Sequence, residues 1–198
     1  MKVRIKLTEE MLGTASQNKE VHEEFIASKS ADAAKIKEEL GALPSDDLME
    51  KAVTVFHRDA DGMPIIFDYQ VKGFIKEAVG VMIEIADKEI RVGKTKLSKW
   101  TFKRIVDNFV FVSPRIIRLG AVGAICTRPL RADTMKGERV SLASSETMPA
   151  GTAFEVEIKT LTPALDDLIV KCLNYGALKG LGQWRNSGKG RFAWEAVK

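Results

Sequence analysis

The chain has 198 residues with a net charge of +4, and 45% of its residues are hydrophobic and 29% are charged. This composition is typical of a soluble globular protein and argues against a largely disordered chain. The sequence has no apolar run near the roughly 18 residues of a membrane-spanning helix, and no signal-peptide pattern at its start. Cys126 and Cys172 lie in apolar runs, which predicts buried free thiols and a cytoplasmic protein.

Hydrophobic periodicity predicts six core elements along the chain. Alternation typical of a strand begins at Val3, apolar residues recur at helical spacing over residues 71–83, and Thr162-Pro163 is a helix start. In chain order, the predicted elements are strand 3–7, helix 71–85, strand 109–119, strand 153–159, helix 163–175 and strand 191–197. This βαββαβ order predicts an α+β fold with a ferredoxin-like (RRM-like) core whose two helices lie on one face.

Three further segments are predicted outside these core elements. Residues 8–58 have mainly helical composition, which predicts a helical insertion between the first strand and the first core helix. Residues 98–107 predict a weaker helix, and residues 128–149 predict an extended, polar β-hairpin arm. No internal repeat is visible, so we predict that residues 1–198 form a single domain.

Charge is distributed unevenly along the chain. Residues 9–50 contain eleven acidic and four basic side chains, a net of −7, whereas residues 51–198 contain 16 acidic and 24 basic ones, a net of +8. Residues 88–131 hold eleven bases against two acids. Three aromatic residues are interleaved with these bases: Trp100, Phe102 and Phe109. Such a stretch favours binding of a polyanion, most often nucleic acid, although a solvated helix face over core aromatics has the same pattern.

A glycine-rich loop precedes the last predicted strand. Residues 180–192 read GLGQWRNSGKGRF, with two Gly-x-Gly pairs around an aromatic residue and several cations. Glycine accepts positive φ and close backbone approach, so the loop N–H groups can face an anion. We expect Gly182 and Gly188 to have conformations or contacts that a side chain excludes. A Walker loop is excluded because five residues, rather than four, separate Gly182 from Gly188. A hairpin without a ligand is the alternative.

Three segments match, in order, motifs of one protein family. Residues 62–76, GMPIIFDYQVKGFIK, resemble the pattern G-x-P-x-I-P-G-S-S-L-K-G-x-x-R, and residues 146–158, ETMPAGTAFEVEI, resemble E-x-V-P-A-G-x-x-F. The glycine-rich loop resembles the loop near the C-terminus of the same family. This family is the RAMP superfamily (repeat-associated mysterious proteins), and the resemblance is greatest to the backbone-forming subunits of CRISPR effector complexes. The chain departs from the pattern where Asp68-Tyr69-Gln70 replaces Gly-Ser-Ser and where Lys76 replaces arginine.

The resemblance implies an RNA-binding, non-catalytic subunit that contacts the phosphates of single-stranded RNA. Its implied partners are other effector subunits or further copies of the chain along the RNA, with no membrane contact and no cofactor or metal. A helix start, the arm and the loop supply the candidate RNA-binding residues. They are Lys72, Gly73, Lys76, Arg128, Arg131, Gly182, Trp184, Arg185, Gly188, Lys189 and Arg191. Trp184 is suited either to stacking on a base or to packing on its own helix.

Two other functions remain open. An endoribonuclease needs a proton-transfer group, and the two histidines are His22, the weak catalytic candidate, and His57. Alternatively, a compact RAMP-like chain, for instance from a phage, would act as a decoy or inhibitor that takes the place of an effector subunit. The acidic stretch would then mimic nucleic acid.

Overall fold

A computed structural model describes residues 1–16, 54–86, 89–134 and 137–197, with the backbone alone over residues 130–142. The chain has a mixed α+β fold. In chain order, the elements are β1 (Lys2–Leu7), β2 (Met11–Leu12), β3 (Ala15–Ser16), β4 (Thr54–Val55), β5 (His57–Arg58), β6 (Pro64–Phe67), α1 (Asp68–Glu84), β7 (Arg91–Val92), β8 (Thr95–Lys96), α2 (Phe102–Phe109), β9 (Val110–Ser113), β10 (Ile116–Arg118), β11 (Ile125–Thr134), β12 (Gly137–Met148), β13 (Ala153–Thr160), α3 (Asp166–Tyr175) and β14 (Phe192–Val197). Short 3-10 turns lie at Pro163–Leu165 and Arg185–Ser187.

A four-stranded antiparallel sheet in the order β14-β1-β13-β9 is the centre of the fold. The alternation that predicted β1 is observed, because Val3, Ile5 and Leu7 are buried while the residues between them are exposed. The buried side packs in one hydrophobic core with α1 and α3, and Phe74 of α1 meets Phe192 of β14 edge to face. Both predicted helices therefore lie on one face of this sheet, and the opposite face carries exposed ion pairs.

Boundaries differ from the sequence-based expectations where side chains cap or break an element. Helix α1 begins at Asp68 rather than 71 because the Gln70 side chain accepts a hydrogen bond from the Phe67 N–H at 2.8 Å. Helix α2 begins at Phe102, four residues after the predicted start at residue 98, because residues 98–101 form a separate turn. In this turn the Ser98 N–H donates to the Thr101 hydroxyl at 2.9 Å. The predicted strand 109–119 is two strands, since the chain breaks at Pro114. The second of these, β10, pairs with β6 in another sheet.

The predicted β-hairpin arm is observed. Strands β11 and β12 pair antiparallel over ten residue pairs, from Ile125 opposite Glu146 to Thr134 opposite Gly137. The base of β12 also pairs with β2 and β4. The arm is therefore anchored to the segments that flank residues 17–53.

The helix predicted within residues 8–58 falls largely on residues outside the described ones. The described ends of this range form the short strands β2 to β5 instead of helix. The helical insertion and the single-domain organisation of residues 1–198 stay predictions.

The cysteines are free thiols, as predicted, but they differ in burial. Cys172 is buried and Cys126 is half-buried, and burial raises the pKa of the Cys172 thiol to about 12. Cys172 therefore behaves as a small core residue at neutral pH. Among the helices that the structure describes, none has the length and apolar character needed to span a membrane.

Candidate nucleic-acid interface

The backbone of the glycine-rich loop is left-handed at five positions. The φ angles of Gly180, Gly182, Gly188 and Gly190 lie between 72° and 84°, and Trp184 has a φ of 54°. The expectation for Gly182 and Gly188 is confirmed, because residues with a side chain rarely adopt such φ angles. Left-handed conformation at a bulky residue such as Trp184 costs free energy, and it persists where the surrounding structure holds it.

The loop closes on itself and on the segment after β1. The Leu181 N–H donates to the Gly190 carbonyl, and the Gly190 N–H donates to the Glu10 carbonyl, each at 2.8 Å. A Cβ on Gly182 would lie 2.7 Å from the Leu12 carbonyl oxygen, so only glycine fits this approach. The loop is thus a rigid platform rather than a loose terminal hairpin.

Trp184 is stacked on a buried arginine and is partly exposed. The guanidinium carbon of Arg128 lies 4.8 Å from the centre of the Trp184 ring, and the Trp184 side chain stays 37% exposed. Arg128 itself is buried, and its Nη1 donates to the Ser145 hydroxyl at 2.9 Å. Arg128 therefore lies beneath the indole and holds it in place, and the exposed part of Trp184 is the part that a base can reach.

The cations of the loop contact acceptors of the chain itself. Arg185 donates to Glu77 of α1 at 2.6 Å, and Lys189 pairs with Glu10. The hydrogen bond from Lys189 to Glu10 raises the lysine pKa above its usual value. Arg191 is exposed, and its Nε donates to the Leu178 carbonyl at 3.1 Å. Arg191 therefore joins the loop to the segment that follows α3, whereas Arg185 joins the loop to α1.

We expect Arg185→Ala to leave the melting temperature nearly unchanged and to reduce the affinity for single-stranded RNA. The pair with Glu77 is half-exposed, with side-chain exposures of 27% and 38%, and such pairs typically contribute less than about 1 kcal/mol. Thermal melting and an RNA titration of the same sample measure both effects. Lys179→Ala is the matched control, because Lys179 contacts the same carboxylate at 3.6 Å. A destabilised Arg185→Ala protein with intact RNA affinity would make the loop a structural element.

The candidate residues of α1 divide between two sides of the helix. Lys72 donates to the Asp107 carbonyl at 3.0 Å and lies 5.3 Å from the centre of the Phe111 ring. Burial is the main cause that lowers the Lys72 pKa from its usual value. Lys76 pairs with the Asp107 carboxylate. Gly73 is exposed, and a Cβ there would meet nothing within 4 Å.

The helix N-terminus carries its own anion. Asp68, which stands where the RAMP pattern has glycine, accepts a hydrogen bond from the Tyr69 N–H at 2.8 Å and one from Arg115 at 2.9 Å. A carboxylate at this position complements the partial positive charge of the helix start. A phosphate at the first turn of α1 would therefore meet a resident negative charge, and any phosphate contact of α1 is expected further along the helix.

A cavity of about 260 Å³ lies between the loop, α1 and strands β2, β5 and β6. It brings together three of the predicted residues, Gly73, Gly182 and Arg185. Its wall is largely apolar, with polar groups from Thr14 and Gln70, whose side chains are hydrogen-bonded at 2.6 Å. The loop and the first core helix, more than 100 residues apart in sequence, thus form one surface.

Several predicted residues stay untested or lie elsewhere. His22 lies outside the described residues, and the side chain of Arg131 is not described. His57 is 3% exposed and lies against Phe67, with ring centres 5.0 Å apart. Across the described part of the chain, no group of three or more His, Cys, Asp and Glu side chains is arranged to hold a metal ion.

Sequence reasoning missed the carboxylates that hold the site together. Glu77 and Glu10 pair with the loop cations, and Glu146, buried at 4% exposure, pairs with Arg58. Glu77 sits on a helical segment with mixed burial, where an acidic residue normally indicates a solvated face. The one signal for Glu146 was its place in the motif of residues 146–158.

Comparison with known proteins connects this architecture to CRISPR effector complexes. No family model and no curated protein matches the chain. Among solved structures, the whole chain aligns with 58% of a chain in the structure of the Type III-B Cmr-beta bound to cognate target RNA, with a TM-score of 0.54 and 12% identity. A chain of a Type IV-B CRISPR complex aligns with a TM-score of 0.44 and 12% identity, over 99% of this chain and 89% of the other. This chain therefore spans less than two thirds of the Cmr-beta chain that it matches, and it is similar in fold to a CRISPR effector subunit.

Proposed function

We propose that this chain is an RNA-binding RAMP-like protein, a non-catalytic backbone-type subunit that contacts RNA phosphates in a CRISPR effector complex of the cytoplasm. The strand order β14-β1-β13-β9, with α1 and α3 on one face, supports a ferredoxin-like core. Similarity to a Cmr-beta chain, which was solved with target RNA, supports RNA and other effector subunits as partners.

The glycine-rich loop is the observation that carries this proposal. Four left-handed glycines and one left-handed tryptophan form a rigid loop, in which Arg128 supports the Trp184 ring from beneath. Single-strand binding proteins combine aromatic faces for the bases with cations for the backbone. The loop offers both, since Arg185, Lys189 and the exposed Arg191 follow Trp184 in the sequence. An RNA phosphate would compete with Glu77 and Glu10 for Arg185 and Lys189. This competition favours modest RNA affinity for an isolated subunit.

Binding of single-stranded RNA is expected to be strongly salt-dependent. Each neutralised phosphate should add about −0.7 to the slope of log affinity against log salt. Fluorescence anisotropy of labelled RNA over a series of salt concentrations measures this slope. Replacing Arg128 and Arg131 together by alanine should weaken binding of all RNA sequences alike, and Lys171→Ala, at an exposed position on α3, is the control. RNA that fails to bind micromolar protein at low salt would contradict the proposal.

An inhibitor of an effector complex is the second candidate function. It is favoured by the pairing of Arg185, Lys189 and Lys76 with carboxylates of the chain itself, which reduces the charge available for RNA. Co-purification with an effector complex, without RNA affinity of the isolated chain, would support this function. Cleavage of labelled RNA that is lost in His22→Ala would instead identify a nuclease.

A further inference from the structure

A second aromatic surface lies on the side of α1 that faces α2. The side chain of Trp100 is 93% exposed, the highest value among the large hydrophobic residues that the structure describes as exposed. It lies in the turn before α2, which two hydrogen bonds fix: the Thr101 and Phe102 N–H groups both donate to the Ser98 carbonyl, at 3.1 and 3.0 Å. Because Trp100 is almost fully exposed, packing in the hydrophobic core does not explain why a tryptophan stands at this position.

Exposed cations lie close to this tryptophan in the sequence. Lys103 and Arg104, in the first turn of α2, follow Trp100 by three and four residues. Both are exposed, as is Lys94 in the turn between β7 and β8, and none of the three has an ion pair with another described residue. Lys99 is also exposed and pairs with Glu84 at 2.9 Å.

Lys99 and Lys103, which stand on either side of Trp100 in the sequence, line a groove between α1 and α2, and we name it the Trp100 groove after this neighbour in the chain. It has a volume of about 520 Å³, and its walls include Lys76, Lys99 and Lys103. Two glycines of α1, Gly73 and Gly80, also line it. A Cβ on Gly73 would meet nothing within 4 Å, so an extended chain can approach the helix closely there, whereas Gly80 packs against the Phe102 ring.

The Trp100 groove is continuous with the glycine-rich loop. Gly73 and Glu77 line both this groove and the 260 Å³ cavity at the loop. The carboxylates of the groove are paired, Glu77 with Arg185 and Glu84 with Lys99. Lys76 pairs with Asp107, so Lys103 is the lysine of the groove that has no ion pair with another described residue. Lys99 and Lys103 of the basic stretch therefore line a groove that adjoins the cavity at the glycine-rich loop.

We propose that the Trp100 groove binds single-stranded RNA, with a base stacked on Trp100 and phosphates along the lysines. This inference rests on the proposed RNA-binding function and assigns to it a second contact surface. A positively charged groove with an exposed aromatic side chain is the arrangement that binds single strands without sequence preference. Lysine is depleted in protein–protein interfaces, so the density of lysines here favours RNA over a protein partner.

The test compares three variants in anisotropy titrations with fluorescein-labelled oligo(U) RNA. Trp100→Ala is expected to weaken binding roughly tenfold to a hundredfold, because it removes a stacking face, whereas Trp100→Phe should keep most of the affinity. Lys103→Ala should weaken binding and reduce the salt slope by about 0.7, while Lys171→Ala on α3 should change neither. Melting temperatures should stay at the wild-type value because Trp100 is almost fully exposed.

A fluorescence measurement gives a second readout. The chain has three tryptophans, and oligo(U) should quench more of the emission of the wild-type protein than of Trp100→Phe, in which Trp184 and Trp194 stay in place. Wild-type protein that binds RNA with unchanged affinity in Trp100→Ala would overturn this inference and leave the proposed function intact. Wild-type protein that binds no RNA would overturn both. Loss of a protein partner in Trp100→Ala, with RNA affinity retained, would make the groove a protein-docking surface and overturn the RNA assignment.

Discussion

Glu146→Ala is expected to lower the free energy of unfolding by about 3–5 kcal/mol. Glu146 and Arg58 are both buried, at 4% and 9% exposure, and their side chains form an ion pair. The second carboxylate oxygen accepts a hydrogen bond from the Phe56 N–H at 2.8 Å. Alanine would leave a buried guanidinium and a buried backbone donor without their partner, which is costlier than losing a surface pair.

Loss of the Glu146 side chain is expected to weaken more than one part of the fold. Glu146 lies at the base of the arm, where its own carbonyl accepts a hydrogen bond from the Gly13 N–H at 2.9 Å. One residue thus ties β12 to the segments on both sides of residues 17–53. Urea denaturation measures the loss of stability, and the slope of the transition indicates whether unfolding remains cooperative.

The double variant Arg58→Met/Glu146→Leu is the matched control. It removes both charges and fills similar volume, so it should recover the part of the lost stability that comes from the unpaired guanidinium, while the Phe56 N–H stays without its acceptor. A Glu146→Ala protein that loses less than about 1 kcal/mol would contradict a buried, paired carboxylate at this position.

Gly190→Ala is expected to destabilise the fold by about 3–5 kcal/mol, from left-handed strain and overpacking together. Gly190 has a φ of 72°, and a Cβ there would lie 1.8 Å from the Leu181 carbonyl oxygen. That contact involves backbone, which cannot rotate away as a flexible side chain can. The substitution would separate the two halves of the glycine-rich loop and break its hydrogen bond to Glu10.

Gly188→Val is the matched comparison in the same loop. Gly188 also has positive φ, at 84°, but the atom nearest to a Cβ at this position would belong to the flexible Arg191 side chain, at 3.4 Å. Only the conformational cost applies, and we expect a loss of about 1–3 kcal/mol. Thermal or urea unfolding of both variants gives the ranking. If Gly188→Val proved the more damaging of the two, the close packing of Gly190 on Leu181 would be wrong.

These two stability variants also separate folding from binding. Neither Glu146 nor Gly190 is proposed to touch RNA, so any loss of RNA affinity in them should follow the loss of folded protein. Trp100→Ala and Arg185→Ala should behave in the opposite way, with RNA affinity reduced while the fold is retained. Measuring both properties on all four proteins tests whether the surface is a binding site or a structural feature.

The secondary structure of the core was predictable because its signals are local. Alternating burial at Val3, Ile5 and Leu7 and helical spacing along α1 depend on residues a few positions apart. The left-handed glycines were predictable for the same reason, since the residue type alone permits the conformation. The order of the core elements and the hairpin, predicted at residues 128–149 and observed at 125–148, followed from these local patterns.

Partners distant in sequence were decided by the tertiary structure alone. Arg185 pairs with Glu77, 108 positions away in the sequence, and Lys189 pairs with Glu10, 179 positions away. The cations that the sequence suggests as RNA ligands therefore also bind carboxylates of the chain itself. Pro114 interrupts the apolar run of residues 109–119 in the sequence, but only the folded chain shows that β9 and β10 belong to different sheets. The sequence by itself thus determined which segments are helix, strand and glycine-rich loop, because backbone preference is short-range. Which charges are buried, which are paired and which side of α1 stays open depends on packing between distant segments, and only the folded chain defines it.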